Sequence, residues 1–98
     1  MNIDKKLEDG RLTLVVSGRL DTNTSPELES EIKSDGVNEI VFDFASLEYI
    51  SSAGLRVLMT AHKAMMTCGG TMKILHPNEM VKGVFDMTGL SSVFTVVP

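Results

Sequence analysis

Apolar and polar residues alternate near the start of the chain. Ile3, Lys5 and Leu7 suggest a short strand, and Leu12, Leu14 and Val16 a second one within RLTLVVSGRL. Asp9-Gly10 between them is a turn signal, so an antiparallel hairpin is expected. The stretch DTNTSPELESEI then opens a helix. Thr24 with Glu27 fits a capping box, while Ser25 as cap with Pro26 at the first helical position fits as well. Both place the helix over Glu27 to about Ser34, with Leu28 and Ile32 inward and Asp35-Gly36 at its end.

The next apolar run, EIVFDFASL, reads as a strand covered on at least one side. Ser51 or Ser52 starts the following helix. Leu55, Leu58, Met59, His62 and Met65 recur every three or four residues, and Gly69-Gly70 stops the helix near Cys68. TMKILH is a shorter, more polar strand. Asn78 caps a third helix, which carries Val81, Val84, Phe85 and Thr88 on one face and ends at Gly89. VFTVV closes the chain as a last strand. The order β-β-α-β-α-β-α-β predicts an α/β fold: one small domain over residues 1–98, with a mixed sheet of about five strands packed against helices.

Composition narrows the function classes. The 98 residues suit one domain, and 43% hydrophobic with 22% charged residues is a globular balance. Net charge is −4 and no Lys/Arg block occurs, which disfavours nucleic acid and anionic membrane surfaces as partners. No run approaches 18 apolar residues, so no membrane insertion is expected. Cys68 is the single cysteine, and the first ten residues lack a signal-peptide core, so a cytoplasmic location is expected.

Functional groups in parallel βαβ units gather at the carboxyl ends of strands. Three segments fit: Asp21 to Thr24, Ser51 to Gly54, and His76 to Asn78, and they are expected to share a rim. Enzymatic readings find little support there. The serine pair lacks the G-x-S-x-G context of a nucleophile elbow, and nothing in the sequence places His76 within reach as a base. His62 lies mid-helix, as a packing residue would. His62, His76 and Cys68 have no metal-ligand spacing. Gly69-Gly70 follows a helix, the wrong context for a phosphate loop. No catalytic residue, metal or cofactor is expected.

What remains is recognition or modification at Ser51 and Ser52. Either serine can cap the helix, and a phosphoryl group there would meet the N–H groups of a helix N-terminus. It would add about −1.5 to −2 charge and disfavour an acidic or apolar partner surface. Gly54 leaves space over the first turn, for another backbone or for tight internal packing.

VSGRLDTNTSPEL, IVFDFASLEYISSAGLRVL and VFDMTGL together resemble the STAS domains of the anti-anti-sigma factor type, over nearly the whole chain. The resemblance implies an anti-sigma factor antagonist: it binds an anti-sigma factor, often a serine kinase, and frees a sigma factor. Phosphorylation of the antagonist reverses this, and a PP2C-type phosphatase restores it. ATP-Mg would belong to the kinase. The family motif is Asp-Ser-Ser-Gly or Asp-Thr-Ser-Gly, with the last hydroxyl phosphorylated. Here Ser51 stands at the Asp position, Ser52 at the middle position, Ala53 at the phosphoacceptor position and Gly54 at the glycine. Ala53 has no hydroxyl, so the resemblance makes Ser52 the first candidate phosphoacceptor and Ser51 the second. It also implies partner contacts at Asp21, Asn23, Thr24, Ser51, Ser52, Ala53, Gly54 and Arg56. The two departures from the motif keep an alternative open: a constitutive STAS adaptor or subunit of a transporter or signalling assembly, without a phospho-switch.

Overall fold

The hairpin forms around Asp9-Gly10, whose positive φ values (50° and 82°) match the right-handed twist of the strands they join. It pairs β1 (Asn2–Glu8) antiparallel with β2 (Arg11–Leu20) in the computed structural model, which describes residues 1–32 and 35–98. Helix α1 (Ser25–Glu31) follows, then β3 (Glu39–Asp43), β4 (Leu47–Ile50), α2 (Ser52–Cys68), β5 (Thr71–Leu75), α3 (Glu79–Thr88), a 3-10 turn at Leu90–Ser92, and β6 (Thr95–Val97). The sheet order is β1-β2-β3-β5-β6, and every pairing after the hairpin is parallel.

The sheet has six strands rather than about five. β4 is the addition, and it arises because β2 is ten residues long. β3 pairs with Arg11 to Val15 of β2 and stops at Asp43. The chain breaks step over Phe44 to Ser46, and then Leu47–Ile50 runs parallel to Gly18–Leu20, past an irregularity between Gly18 and Arg19. In register, Asp43, Leu75 and Val97 all end level with Val15. β2 continues five residues beyond that line, about 15 Å of extended chain. The β2–β4 pair therefore projects past the rest of the sheet.

One core holds the domain. Leu12, Leu14 and Val16 of β2, Ile40 and Phe42 of β3, and Met72 and Ile74 of β5 alternate onto the face that α2 covers with Leu55, Leu58, Ala61 and Met65. α3 adds Val81 and Phe85, and Phe85 meets Phe94 edge-on at 5.7 Å. His62 also packs edge-on against Phe94, at 5.9 Å, in keeping with a packing role. On the other face Glu39 lies between Arg11 (2.6 Å) and Lys73 (3.4 Å), and the Arg11 hydrogen bond is the main cause that lowers its carboxyl below 4.5.

The caps fall where the sequence pattern places them for α2 and α3. Ser51 caps α2, and Gly69 ends it in the left-handed conformation. The Asn78 side chain accepts the Val81 N–H at 2.8 Å. α1 differs in two ways. It ends at Glu31, because Ile32 is already extended (φ −84°, ψ 110°); the expected limit, Ser34, lies outside the described residues. Neither expected cap forms: Thr24 makes no side-chain cap bond, and Ser25 is the first residue inside the helix.

Two glycines with opposite surroundings test this packing. A Cβ at Gly70 would lie 2.5 Å from the Asn38 carbonyl oxygen, which is backbone and cannot swing aside. A Cβ at Gly83, inside α3, meets nothing within 4 Å. Gly70→Ala is expected to destabilise by about 1–3 kcal/mol, and Gly83→Ala to stabilise by about 0.5–1 kcal/mol. Thermal unfolding of the two variants should move in opposite directions; a shared direction would contradict the packing described.

Candidate functional site

The end of the β2–β4 projection is built around Leu20. Its carbonyl accepts the Ser51 N–H at 2.9 Å, which ties the start of α2 to the end of β2. Its side chain lies under Gly54: a Cβ on Gly54 would come within 2.8 Å of Leu20 Cγ and 2.9 Å of Ile50 Cγ1. Gly54 is buried, so the space its missing Cβ leaves is filled from inside the domain and not offered to another backbone.

Asp21 follows directly and organises the loop into α1. Its carboxylate Oδ1 accepts the Asn23 N–H at 3.0 Å and the Thr24 N–H at 3.1 Å. The Thr24 hydroxyl accepts the Asp21 N–H at 2.8 Å, and its single hydrogen faces Arg19 O at 2.9 Å and Asp21 Oδ1 at 3.2 Å. This knot replaces the expected capping box: the Thr24 side chain turns back to the loop, not forward into the helix. Ser25 is buried and donates to Asp21 O at 2.5 Å. The Thr24 N–H bond holds the Asp21 carboxyl below its ordinary 3.8 against an opposing desolvation, with smaller help from Asn23, the Thr24 hydroxyl and the Arg19 charge.

Ser51 is half-buried. Its hydroxyl accepts the Gly54 N–H at a long 3.4 Å, and its carbonyl accepts the Leu55 N–H at 3.0 Å. Ser52 and Ala53 occupy the first two helical positions, whose N–H groups have no carbonyl one turn back to meet. Their side chains diverge, as a rotation of about 100° per residue requires. Ser52 is exposed. Ala53 instead lines a shallow groove of about 200 Å³ between α1 and α2, with Thr22, Ser25, Pro26, Glu29, Arg56 and Val57. Arg56 is exposed one turn after Ser52.

The Asp21–Thr24 and Ser51–Ala53 segments thus meet, but His76–Asn78 does not join them on one rim. Asn78 Nδ2 donates to Leu47 O at 3.1 Å, at the opposite end of β4 from Ser51. About 10 Å of extended strand separates that anchor from the serines. The step in the strand ends, which the shared-rim expectation ignored, sets this segment back. His76 instead holds the other end of the chain: its N–H donates to Val97 O at 2.7 Å, and its Nδ1 lies 3.1 Å from Pro98 O.

Two neighbours of the site escaped the sequence reading. Arg19 and Tyr49 face each other across the β2–β4 pair, with the guanidinium carbon 4.2 Å from the ring centre. The signal for them was the alternation itself, because Leu20 and Ile50 point inward and their predecessors must point away. Among the described residues no cluster of His, Cys, Asp and Glu has the makings of a metal site. No helix is long and apolar enough to cross a membrane among them either.

A family model described as the STAS domain matches residues 2–98. BtrV of Bordetella bronchiseptica, whose name describes a candidate anti-sigma factor antagonist, is 32% identical over 91 residues, covering 90% of this chain and 78% of that protein. The anti-sigma-B factor antagonist of Staphylococcus epidermidis is 29% identical over 99 residues, covering 98% of this chain and 92% of that protein. Among solved structures, the unphosphorylated form of the anti-sigma factor antagonist SpoIIAA superimposes with a TM-score of 0.85 at 18% identity, covering 99% of this chain and 89% of that one. That last likeness shows the shared fold.

The Asp21 knot makes a pH prediction. Its carboxyl is lowered in the folded state, so the unfolded chain takes up the proton first as pH falls. The contribution of the knot is complete above 3.8 and is lost only as pH drops through the lower folded value. Carboxyl-carbon NMR should give Asp21 a midpoint below 3.8, and Thr24→Ala should move it part of the way back, since the two N–H donors remain. A wild-type midpoint at or above 3.8 would contradict this geometry.

Proposed function

We propose that this chain, which belongs to the STAS domain family, acts as an anti-sigma factor antagonist: it docks on an anti-sigma factor and so frees a sigma factor. The role is regulatory protein binding rather than catalysis, carried out in the cytoplasm where transcription is controlled. The docking surface is the end of the β2–β4 projection: the Asp21–Thr24 loop, Ser51 to Gly54, and the first turn of α2 with Arg56. The observation that carries this reading is the exposed Ser52 hydroxyl at the first position of α2, beside a loop braced by Asp21.

Ser52 is the proposed phosphoacceptor, with Ser51 second. Ser52 is exposed, while Ser51 is half-buried and engaged as the helix cap. A phosphoryl group on Ser52 would sit at the positive end of a 17-residue helix, with Arg56 four residues on and on the same face. The domain would tolerate that charge, and a partner surface shaped for a neutral serine would not. The proposed enzyme partners are the anti-sigma factor itself as serine kinase, which brings ATP-Mg, and a PP2C-type phosphatase. A second reading, a constitutive adaptor without a phospho-switch, is favoured by one observation: Ala53 stands where the family motif carries its phosphoacceptor and faces the α1–α2 groove.

Incubation with the anti-sigma kinases of the same organism and ATP-Mg, followed by fragment mass spectrometry, separates the two. One phosphoryl group on Ser52, lost in Ser52→Ala, with a Ser52→Asp variant weakened about tenfold or more in binding, is the expected result. Tight binding without modification would establish the constitutive form. Neither binding nor modification would remove the sigma-pathway assignment.

A further inference from the structure

We propose that Arg19, seated on Tyr49 on the side of the β2–β4 tip turned away from α2, and Arg56, on the α1–α2 groove, are two separate contacts that receive carboxylates from an acidic segment of the partner. The proposal rests on the reading of the chain as an anti-sigma factor antagonist, and adds to it residues and a partner chemistry.

The charge distribution is the starting observation. The chain carries a net charge of −4, and Lys5, Lys6, Arg11, Lys73 and Lys82 each pair with a carboxylate. Among the described residues Arg19, Arg56 and Lys63 form no ion pair. Both arginines flank the serines. Arg19 lies opposite Tyr49, which precedes Ser51 by two residues, and Arg56 follows Ser52 by one turn. The Asp21 charge acts on Arg19 at a distance, but no carboxylate among the described residues forms an ion pair with either arginine. Asp21 is occupied by two N–H groups and a hydroxyl, and Glu29 lines the groove with Arg56 without pairing to it.

Arg19 is also held in a competent posture. Its guanidinium lies over the Tyr49 ring, 4.2 Å from the centre. The contact is made through the guanidinium carbon, and no side-chain hydrogen bond from Arg19 occurs among the described residues. The guanidinium N–H donors lie in one plane, a fork from which a carboxylate takes two at once. The ring thus restrains a flexible side chain before binding, which reduces the entropy lost on docking. Leu20 and Ile50 anchor the two strands from the inside, so the posture is inherited from the core. Arg19 is exposed and Tyr49 half-buried, and both residue types are enriched in protein interfaces. The overall negative charge makes nucleic acid a poor occupant.

The test is calorimetric binding of the full chain to the anti-sigma factor of the same organism, at low and rising salt. Arg19→Glu and Arg56→Glu are each expected to weaken binding about tenfold, more when combined, and to flatten its salt dependence. Tyr49→Phe should retain affinity, and Tyr49→Ala should lose part of it. Lys63→Glu makes the same charge change eleven residues along α2 from Ser52 and should bind as wild type. Both arginines are exposed, so the variants should fold, as thermal unfolding will verify. Wild-type binding that Arg19→Glu/Arg56→Glu leaves unchanged, or an equal loss in Lys63→Glu, would overturn the two arginine contacts while keeping the antagonist reading. Failure of the folded wild type to bind any anti-sigma factor would overturn both.

Discussion

The close approach of Leu20, Ile50 and Gly54 is the constraint on which the site depends. Three elements end or begin there: β2, β4 and α2. A side chain at position 54 would hold the helix away from the strand ends, and glycine lets it settle onto them. The Ser51 N–H then reaches the Leu20 carbonyl, and the first turn of α2 comes to rest beside the Asp21 loop. The exposed serine, the braced acidic loop and the arginine one turn away keep their places because apolar packing beneath them allows a single arrangement. Hydrophobic contact supplies the position, and polar groups on top supply the chemistry.

Much of this architecture was legible in local signals. The Asp9-Gly10 turn, the Ser51 and Asn78 caps and the Gly69 stop each act within a few residues of themselves, so their meaning survives without tertiary context. β4 was not legible for a specific reason. Its buried residues are Leu47 and Ile50, three apart, and no period of two marks it as a strand. It exists because β2 has ladder positions left over after β3 ends, which is information held elsewhere in the chain. The Thr24 knot is hidden for the opposite reason. Asp, Thr, Ser and Glu in that order satisfy a helix cap and a self-closing loop equally well, and the choice depends on Arg19 O being within reach.

The same limits apply to the site. The serine pair, Gly54 and Asp21 were visible as sequence, and their convergence follows from the parallel topology. Gly54 turned out to serve the interior. The difference in direction between Ser52 and Ala53 could be anticipated from helix geometry, but what each would face could not. Ala53 looks into the α1–α2 groove, and only α1 in place defines that groove. Arg19 and Tyr49 stand inside the stretches that carry the family resemblance, but their pairing is a property of strand register and has no local signal.

The projecting β2–β4 pair also sets how motion is distributed. Within the sheet, β4 is bonded to β2 alone, through three register positions, while β3 is bonded on both sides. Loosening this tip disturbs those positions, the Asn78 anchor and the buried packing of Leu20, Leu47 and Ile50, and leaves the ladder running from β1 through β6 intact. Opening there costs less than unfolding the domain. Any bending of the tip has to carry Leu20, Ile50 and Gly54 together, so the exposed groups above them move as one piece.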